Sequence, residues 1–286
     1  MPNTMETMCR SSILSRKSKA VLTGLLLLLW LLPLQKTAAQ AIVLDRKVKF
    51  DQPAAISIDR LNNVYLTDSK NNLYQYNEVG ELLNTFSPPA AGHISTVEAW
   101  NMVKVMLFYD GQQQITILDR FLREISSVKL RDYMDGVARV ATSSSDDRFW
   151  ILNESNFELL KLDTRFPENT QRIPLDLILD RSQADIQFIR EYQNNVYLLD
   201  KNVGIYVFDN MGNYKKKLPF KNLGYIGFRG DELYFVAGTE LVFFNLYKFT
   251  ERRLPLPAGS AYQHVLVGEN FVYLFSGSGF DIFKLQ

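Results

Sequence analysis

Few residues in this chain belong to the types from which catalytic or metal sites are usually built. There are two histidines, His93 and His264, and one cysteine, Cys9. No G-x-S-x-G elbow, H-E-x-x-H pair, Walker-type glycine loop or EF-hand loop occurs. Gly277-Ser278-Gly279 lies between two apolar runs with no helix after it, so a hairpin turn is expected there and not a phosphate cradle. What remains is a set of polar side chains in or beside short apolar runs: His93 and Glu98, Arg139, Arg190, Tyr225, and His264. A buried charge is costly unless it is paired, so Glu98 and Arg139 are expected to form a structural ion pair. His93 and His264 could share a metal, but two imidazoles without an acidic partner are too few for one. Asp132, Asp135, Asp146 and Asp147 could serve calcium only if their loops converged on the six to eight oxygens that it requires, and solvated turns are expected instead. No metal and no cofactor is therefore assigned.

These residues need elements to position them, and a repeat supplies the elements. A short pattern of apolar residue, aromatic, apolar pair and polar turn begins at Val64, Met106, Phe149, Val196, Leu233 and Val272. The period is about 40 residues, which suits a four-stranded blade with tight turns. Each copy is followed by a second apolar run, and turn residues such as Asp68-Ser69-Lys70-Asn71-Asn72 and Asp110-Gly111 separate the two. Six units of this kind predict an all-β, six-bladed β-propeller over residues 40–286. First strands are expected at 54–59, 94–100, 137–143, 186–191, 223–228 and 264–267, lining a central channel. The six polar residues singled out above lie in or next to these strands, which makes them the candidates for contact with a ligand or partner.

The sixth unit ends at Gln286 directly after its third strand. Residues 41–50 precede the first blade with no partner of their own, and they are expected to complete the last blade and close the ring, removing two exposed edges.

Two units carry a finer signature. Asn63-Val64-Tyr65-Leu66-Thr67-Asp68 through Leu73-Tyr74-Gln75-Tyr76-Asn77 to Gly80 resembles an NHL-type propeller repeat, as does Asn195-Val196-Tyr197-Leu198-Leu199-Asp200 through Ile205-Tyr206-Val207-Phe208-Asp209 to Gly212. The other four units keep the rhythm and lose parts of the signature; unit two has Leu107 at the aromatic position. The resemblance implies the propeller fold, which serves protein docking, RNA binding and several enzymes, and does not choose among them.

The first 39 residues are of another class. Arg10, Arg16, Lys17 and Lys19 precede an apolar run of about 15 residues that is broken by Pro33, too short for the ~20 that span a bilayer, and Thr37-Ala38-Ala39 offers a cleavage sequence. Residues 1–39 are read as a cleaved signal peptide, the alternative being an uncleaved anchor that faces the same compartment. Cys9 leaves with this segment and lies on the wrong side of the apolar run to accept a lipid anchor, so no thiol chemistry remains. Removal takes five of the 32 Lys and Arg and one of the 31 Asp and Glu, leaving 27 against 30 and a formal charge of −3. No basic footprint for nucleic acid results; Lys215, Lys216 and Lys217 read as a solvated strand edge. A disulfide-free exported chain fits the bacterial periplasm. The function expected is a non-catalytic interaction module or scaffold in the cell envelope, not membrane-spanning, with an envelope protein as partner. The alternative is a channel-mouth ligand binder or a calcium-dependent enzyme of the lactonase or hydrolase kind. Phe243-Phe244, Tyr247 and Phe249 form an aromatic cluster whose outward rings could receive a partner.

Overall fold

The computed structural model describes residues 42–89, 92–258, 262 and 264–285. The segment read as a signal peptide, with its cleavage sequence, lies outside the described residues. Within them the chain begins with β1 (Ile42–Lys49). Blade one follows as β2 (Ile56–Ile58), β3 (Val64–Thr67), β4 (Leu73–Tyr76) and β5 (Leu82–Phe86), and blade two as β6 (Ile94–Glu98), β7 (Lys104–Tyr109), β8 (Gln114–Asp119) and β9 (Glu124–Lys129). Blade three is β10 (Ala138–Ser143), β11 (Phe149–Asn153), β12 (Glu158–Leu162) and β13 (Gln171–Pro174). Blade four is β14 (Ile186–Tyr192), β15 (Asn195–Asp200), β16 (Gly204–Asp209) and β17 (Tyr214–Leu218). Blade five is β18 (Gly227–Arg229), β19 (Glu232–Ala237), β20 (Glu240–Asn245) and β21 (Glu251–Pro255). Blade six contains β22 (His264–Val267), β23 (Phe271–Ser276) and β24 (Gly279–Leu285), and β1 is its fourth strand. The six antiparallel sheets make a six-bladed β-propeller.

The repeated pattern forms the second strand of every blade, buried on both faces, which is why it reads as a continuous apolar run. Outer strands carry the polar sequences, as in the largely exposed β9. One apolar cluster lies in each of the six seams between neighbouring blades. The repeated aromatic reaches into the seam with the following blade: Tyr65, Trp150, Tyr197, Tyr234 and Tyr273 each do so. Blade two differs. Met106 pairs with Glu98 as Tyr65 pairs with Ser57 and Trp150 with Thr142. The structural counterpart of the aromatic is therefore Met106 and not Leu107, and Leu107 packs against blade one.

A five-residue turn recurs at the hairpins. Asp59 Oδ1 accepts the N–H groups of Leu61 and Asn63 at 2.8 and 2.9 Å, and Oδ2 accepts from Asn63 Nδ2 and the Tyr65 hydroxyl at 2.8 and 3.0 Å. Asp68 repeats the arrangement with Lys70, Asn72 and Tyr74, and Asp209 with Met211 and Asn213. The fourth residue of the turn has positive φ, Asn62 at 63°, Asn71 at 64° and Gly212 at 86°, a conformation that Asn and Gly tolerate. Burial raises the Asp68 carboxyl, but the donors from Asn72, Lys70 and Tyr74 outweigh it and hold the group below its usual 3.8.

Ring closure is as the sequence predicted. β1 pairs antiparallel with β24 from Ile42 opposite Leu285 to Lys49 opposite Gly279, with a bulge between Leu44 and Arg46. Gly279, at φ +136°, lets the closing backbones approach, since a Cβ there would lie 2.1 Å from the Val48 carbonyl oxygen.

Candidate functional site

The first strands of blades two, three and four each contain a bulge at their second residue, Ser95, Arg139 and Gln187. Three residues further along stand Glu98, Thr142 and Arg190, and this equivalence brings them to one level of the channel. The Thr142 hydroxyl and the Ser143 N–H (3.2 Å) both donate to Glu98 Oε2, and Arg190 Nε lies 3.7 Å from the same oxygen. Glu98 and Arg190 are both buried, and Arg190 Nε makes no hydrogen bond to protein. The Arg190 guanidinium also lies 5.3 Å from the Phe188 ring centre.

This corrects the expected pairing of Glu98 with Arg139. First strands run in one direction around a propeller, so the three residues between Arg139 and the Glu98 level correspond to a rise of roughly 10 Å. The bulge turns Arg139 outward instead, and from its exposed position its Nε donates to the Ile186 carbonyl at 3.3 Å. Tyr225 precedes β18 because the fifth first strand is confined to Gly227–Arg229 and does not begin at 223. Its ring packs edge-on against Phe188 and His264, at centre distances of 5.1 and 6.3 Å. Burial raises the Tyr225 phenol, with Arg190 opposing and Glu98 adding to the shift. Burial likewise lowers the His264 imidazole from 6.5, which keeps it neutral at pH 7. His93 stands apart on an exposed loop, its Nδ1 2.9 Å from Asp110 Oδ1. Among the described residues no group of three or more His, Cys, Asp or Glu side chains is placed to hold a metal ion.

Toward the hairpins that join first to second strands, the channel opens into a cavity of about 650 Å³. Trp100 and Tyr192 form its aromatic floor, at a ring distance of 5.5 Å, and the Arg60 guanidinium lies 5.1 Å from the Trp100 ring centre. Met102 and Val103, 45% and 65% exposed, form the rim, and Leu61 is 60% exposed on the neighbouring hairpin. Glu191 lines the same mouth but is committed inward: it accepts from the Ser144 hydroxyl (2.6 Å), the Ser145 N–H (3.0 Å) and Trp150 Nε1 (2.7 Å). A second cavity of about 290 Å³ runs into the seam between blades two and three, and it shares Glu98, Asn101, Ser143 and Ser144 with the mouth. The two cavities are therefore adjacent.

The other sequence candidates are divided. Phe243 and Phe244 are buried, whereas Tyr247 and Phe249 are exposed, and the Tyr247 hydroxyl donates to Gln193 at the mouth at 2.9 Å. The lysine triplet lies on β17 with Lys215 Nζ 2.8 Å from Asn195 Oδ1 and Lys216 4.3 Å from the Phe249 ring centre, a solvated outer strand tied to its surroundings. Sequence reasoning missed Thr142, Glu191, Trp100 and Arg60. For Thr142 a signal existed, because it sits opposite the repeated aromatic position as Glu98 and Arg190 do.

No protein-family model matches the chain, and no curated protein sequence matches it. Solved structures do. A catalytically inactive histidine-to-alanine variant of virginiamycin B lyase from Staphylococcus aureus, with quinupristin, aligns at a TM-score of 0.58 and 10% identity, covering 84% of this chain and 99% of that one. BamB from Moraxella catarrhalis aligns at 0.51 and 11%, covering 86% and 98%. YCF48 bound to D1 peptide aligns at 0.54 and 11%, covering 89% and 97%. These likenesses define the class, a β-propeller; at such identities they show the fold alone. Among the described residues no helix is long and apolar enough to cross a membrane.

Proposed function

We propose that the protein is an exported, non-catalytic interaction module of a bacterial cell envelope, periplasmic after removal of residues 1–39, and that it receives its protein partner at the channel mouth bounded by Arg60, Trp100, Met102 and Val103. The observation that carries this reading is the mouth itself. Exposed Met102 and Val103 stand beside an aromatic floor at the open end of the channel, while both glutamates there are already committed to the scaffold. The solved propellers include one with a bound peptide, which is consistent with the same use of the fold. The two complete repeat signatures are read as NHL-like.

The test is affinity isolation of the tagged protein from its native envelope in mild detergent, beside a Val103→Asp and a Trp100→Ala variant. A stoichiometric protein partner that is lost from both variants supports the reading. Absence of any such partner, or its full retention by both variants, overturns it.

One observation favours a second reading, chemistry at the other end of the channel. His264 is held neutral beside Tyr225, and a propeller that aligns with this one is a lyase. Loss of intact quinupristin on incubation with the protein, abolished in His264→Ala, would support a lyase-like activity; an unchanged substrate would count against it.

A further inference from the structure

We infer that the cleft formed by the mouth and the seam between blades two and three takes an extended peptide whose free terminal carboxylate is held by Arg60 and whose apolar side chains run outward along the seam; this rests on the interaction-module reading above and names the chemistry of the partner.

The path comes first. The seam cavity begins at Asn101, Ser143 and Ser144, where the mouth ends, and continues past Ile117 and Phe149 to Ile125 and Val128 on β9, the outermost strand of blade two. The lining residues reach from the channel mouth to an outermost strand, a span that an extended chain covers better than a compact ligand does. The other five seams receive a Tyr or Trp at the repeated position, and this one receives Met106, which is unbranched and carries no ring.

The charge of the cleft sets the direction of the occupant. Glu98 is turned to Thr142, Ser143 and Arg190, and Glu191 to Ser144, Ser145 and Trp150. Their oxygens are engaged by the scaffold. Arg60 makes no ion pair among the described residues and lies 5.1 Å from the Trp100 ring centre, so it presents a cation at the mouth. An oxyanion is the complement of that end. Further out, Lys104 and Asp147 face each other at 3.1 Å, and Ser126 and Thr164 line the walls around apolar Ile117 and Phe149. Walls that carry both polar and apolar side chains suit a peptide, whose backbone needs hydrogen-bond partners along its whole length; an acyl chain would leave those groups unsatisfied.

The experiment exposes the purified full chain to a pool of random octapeptides with free carboxylates, identifies the retained peptides by mass spectrometry, and measures their Kd as acids and as C-terminal amides by fluorescence anisotropy. Arg60→Gln and Ile125→Asp, both at exposed positions, are compared with the natural chain after circular dichroism has shown that they fold. Retained peptides should carry apolar residues near their C-terminus, and amidation should weaken them about tenfold, as loss of a charge-assisted hydrogen bond does. Arg60→Gln should remove the difference between acid and amide, and Ile125→Asp should weaken both forms alike. The inference is overturned if no peptide is retained, if acid and amide bind equally, or if palmitate binds where peptides do not. A native partner held equally by the natural chain and by Arg60→Gln and Ile125→Asp would leave the interaction module standing and remove only this cleft from it.

Discussion

Blade three is joined to its neighbours by two seams that begin alike and end differently. At the inner end, residues 142–145 are clasped between two carboxylates, Glu98 of blade two and Glu191 of blade four. Further out, the seam with blade four is filled. Trp150 is fully buried, Lys161 donates to the Asn210 carbonyl at 3.0 Å and pairs with Asp146 at 2.8 Å, and Gly212 leaves room for Ile173, whose Cγ1 would lie 2.7 Å from a Cβ at that position. The seam with blade two has Met106 in place of the indole, and a cavity of about 290 Å³ lies along its outer part, lined by Ile117, Ile125, Val128 and Phe149.

The largest expected effect tests the filled seam. Trp150→Ala should cost about 3–5 kcal/mol in urea unfolding, because it removes a buried indole and leaves Glu191 short of a donor. Met106→Ala should cost less; equal costs would mean that the two seams are packed alike. The carboxylates provide the next contrast. Glu98→Gln leaves the buried Arg190 guanidinium without its counter-ion and should cost about 3 kcal/mol, whereas Glu191→Gln, with no buried cation against it, should cost about 1–2 kcal/mol. Adding Arg190→Leu to Glu98→Gln should recover part of the loss, and a double variant as unstable as the sum of the two single ones would show that the pair is not coupled.

Acid should act on the filled seam. Burial raises the Asp146 carboxyl, but the hydrogen bonds from Lys161 and Ser144 and the charges of Lys161 and Arg148 outweigh it, so the folded value lies below 3.8. The stability from this group is present above pH 3.8 and is lost as pH falls through the folded value. Unfolding curves taken from pH 5 down to pH 2 should show less acid sensitivity for Asp146→Asn; an unchanged slope would remove Asp146 from the seam's energetics. The smallest effect concerns the seam with blade two. Ile125→Ser, at a side chain 54% exposed, should leave stability within about 0.5 kcal/mol. A larger loss would show that the cleft is part of the core.

Much of the architecture was legible in the chain. The six copies of the pattern, the turn aspartates with Asn or Gly three residues on, and an unpaired strand at 41–50 matched to an incomplete last blade pointed to this propeller and its closure. The candidate site was legible only in part. The structure brings Glu98 beside Arg190 and Tyr225 beside His264, whereas Arg139, expected against Glu98, turns outward, and His93 lies on an exposed loop beside Asp110. Leu107 was aligned with the aromatics although Met106 occupies that position.

The misplacement of Arg139 has a physical cause. The number of blades follows from the spacing of apolar runs, because a buried strand needs a continuous run of fixed length and a hairpin needs its turn residues, and both are local properties of the sequence. Which polar side chains meet depends on the phase of each strand around the ring. A single bulged residue, such as the one at Arg139, reverses the face that every later side chain presents, and bulges carry no reliable mark in the sequence. The chain alone determined the propeller, and the tertiary structure decided that Arg190 answers Glu98 and that a cavity lies along the seam between blades two and three.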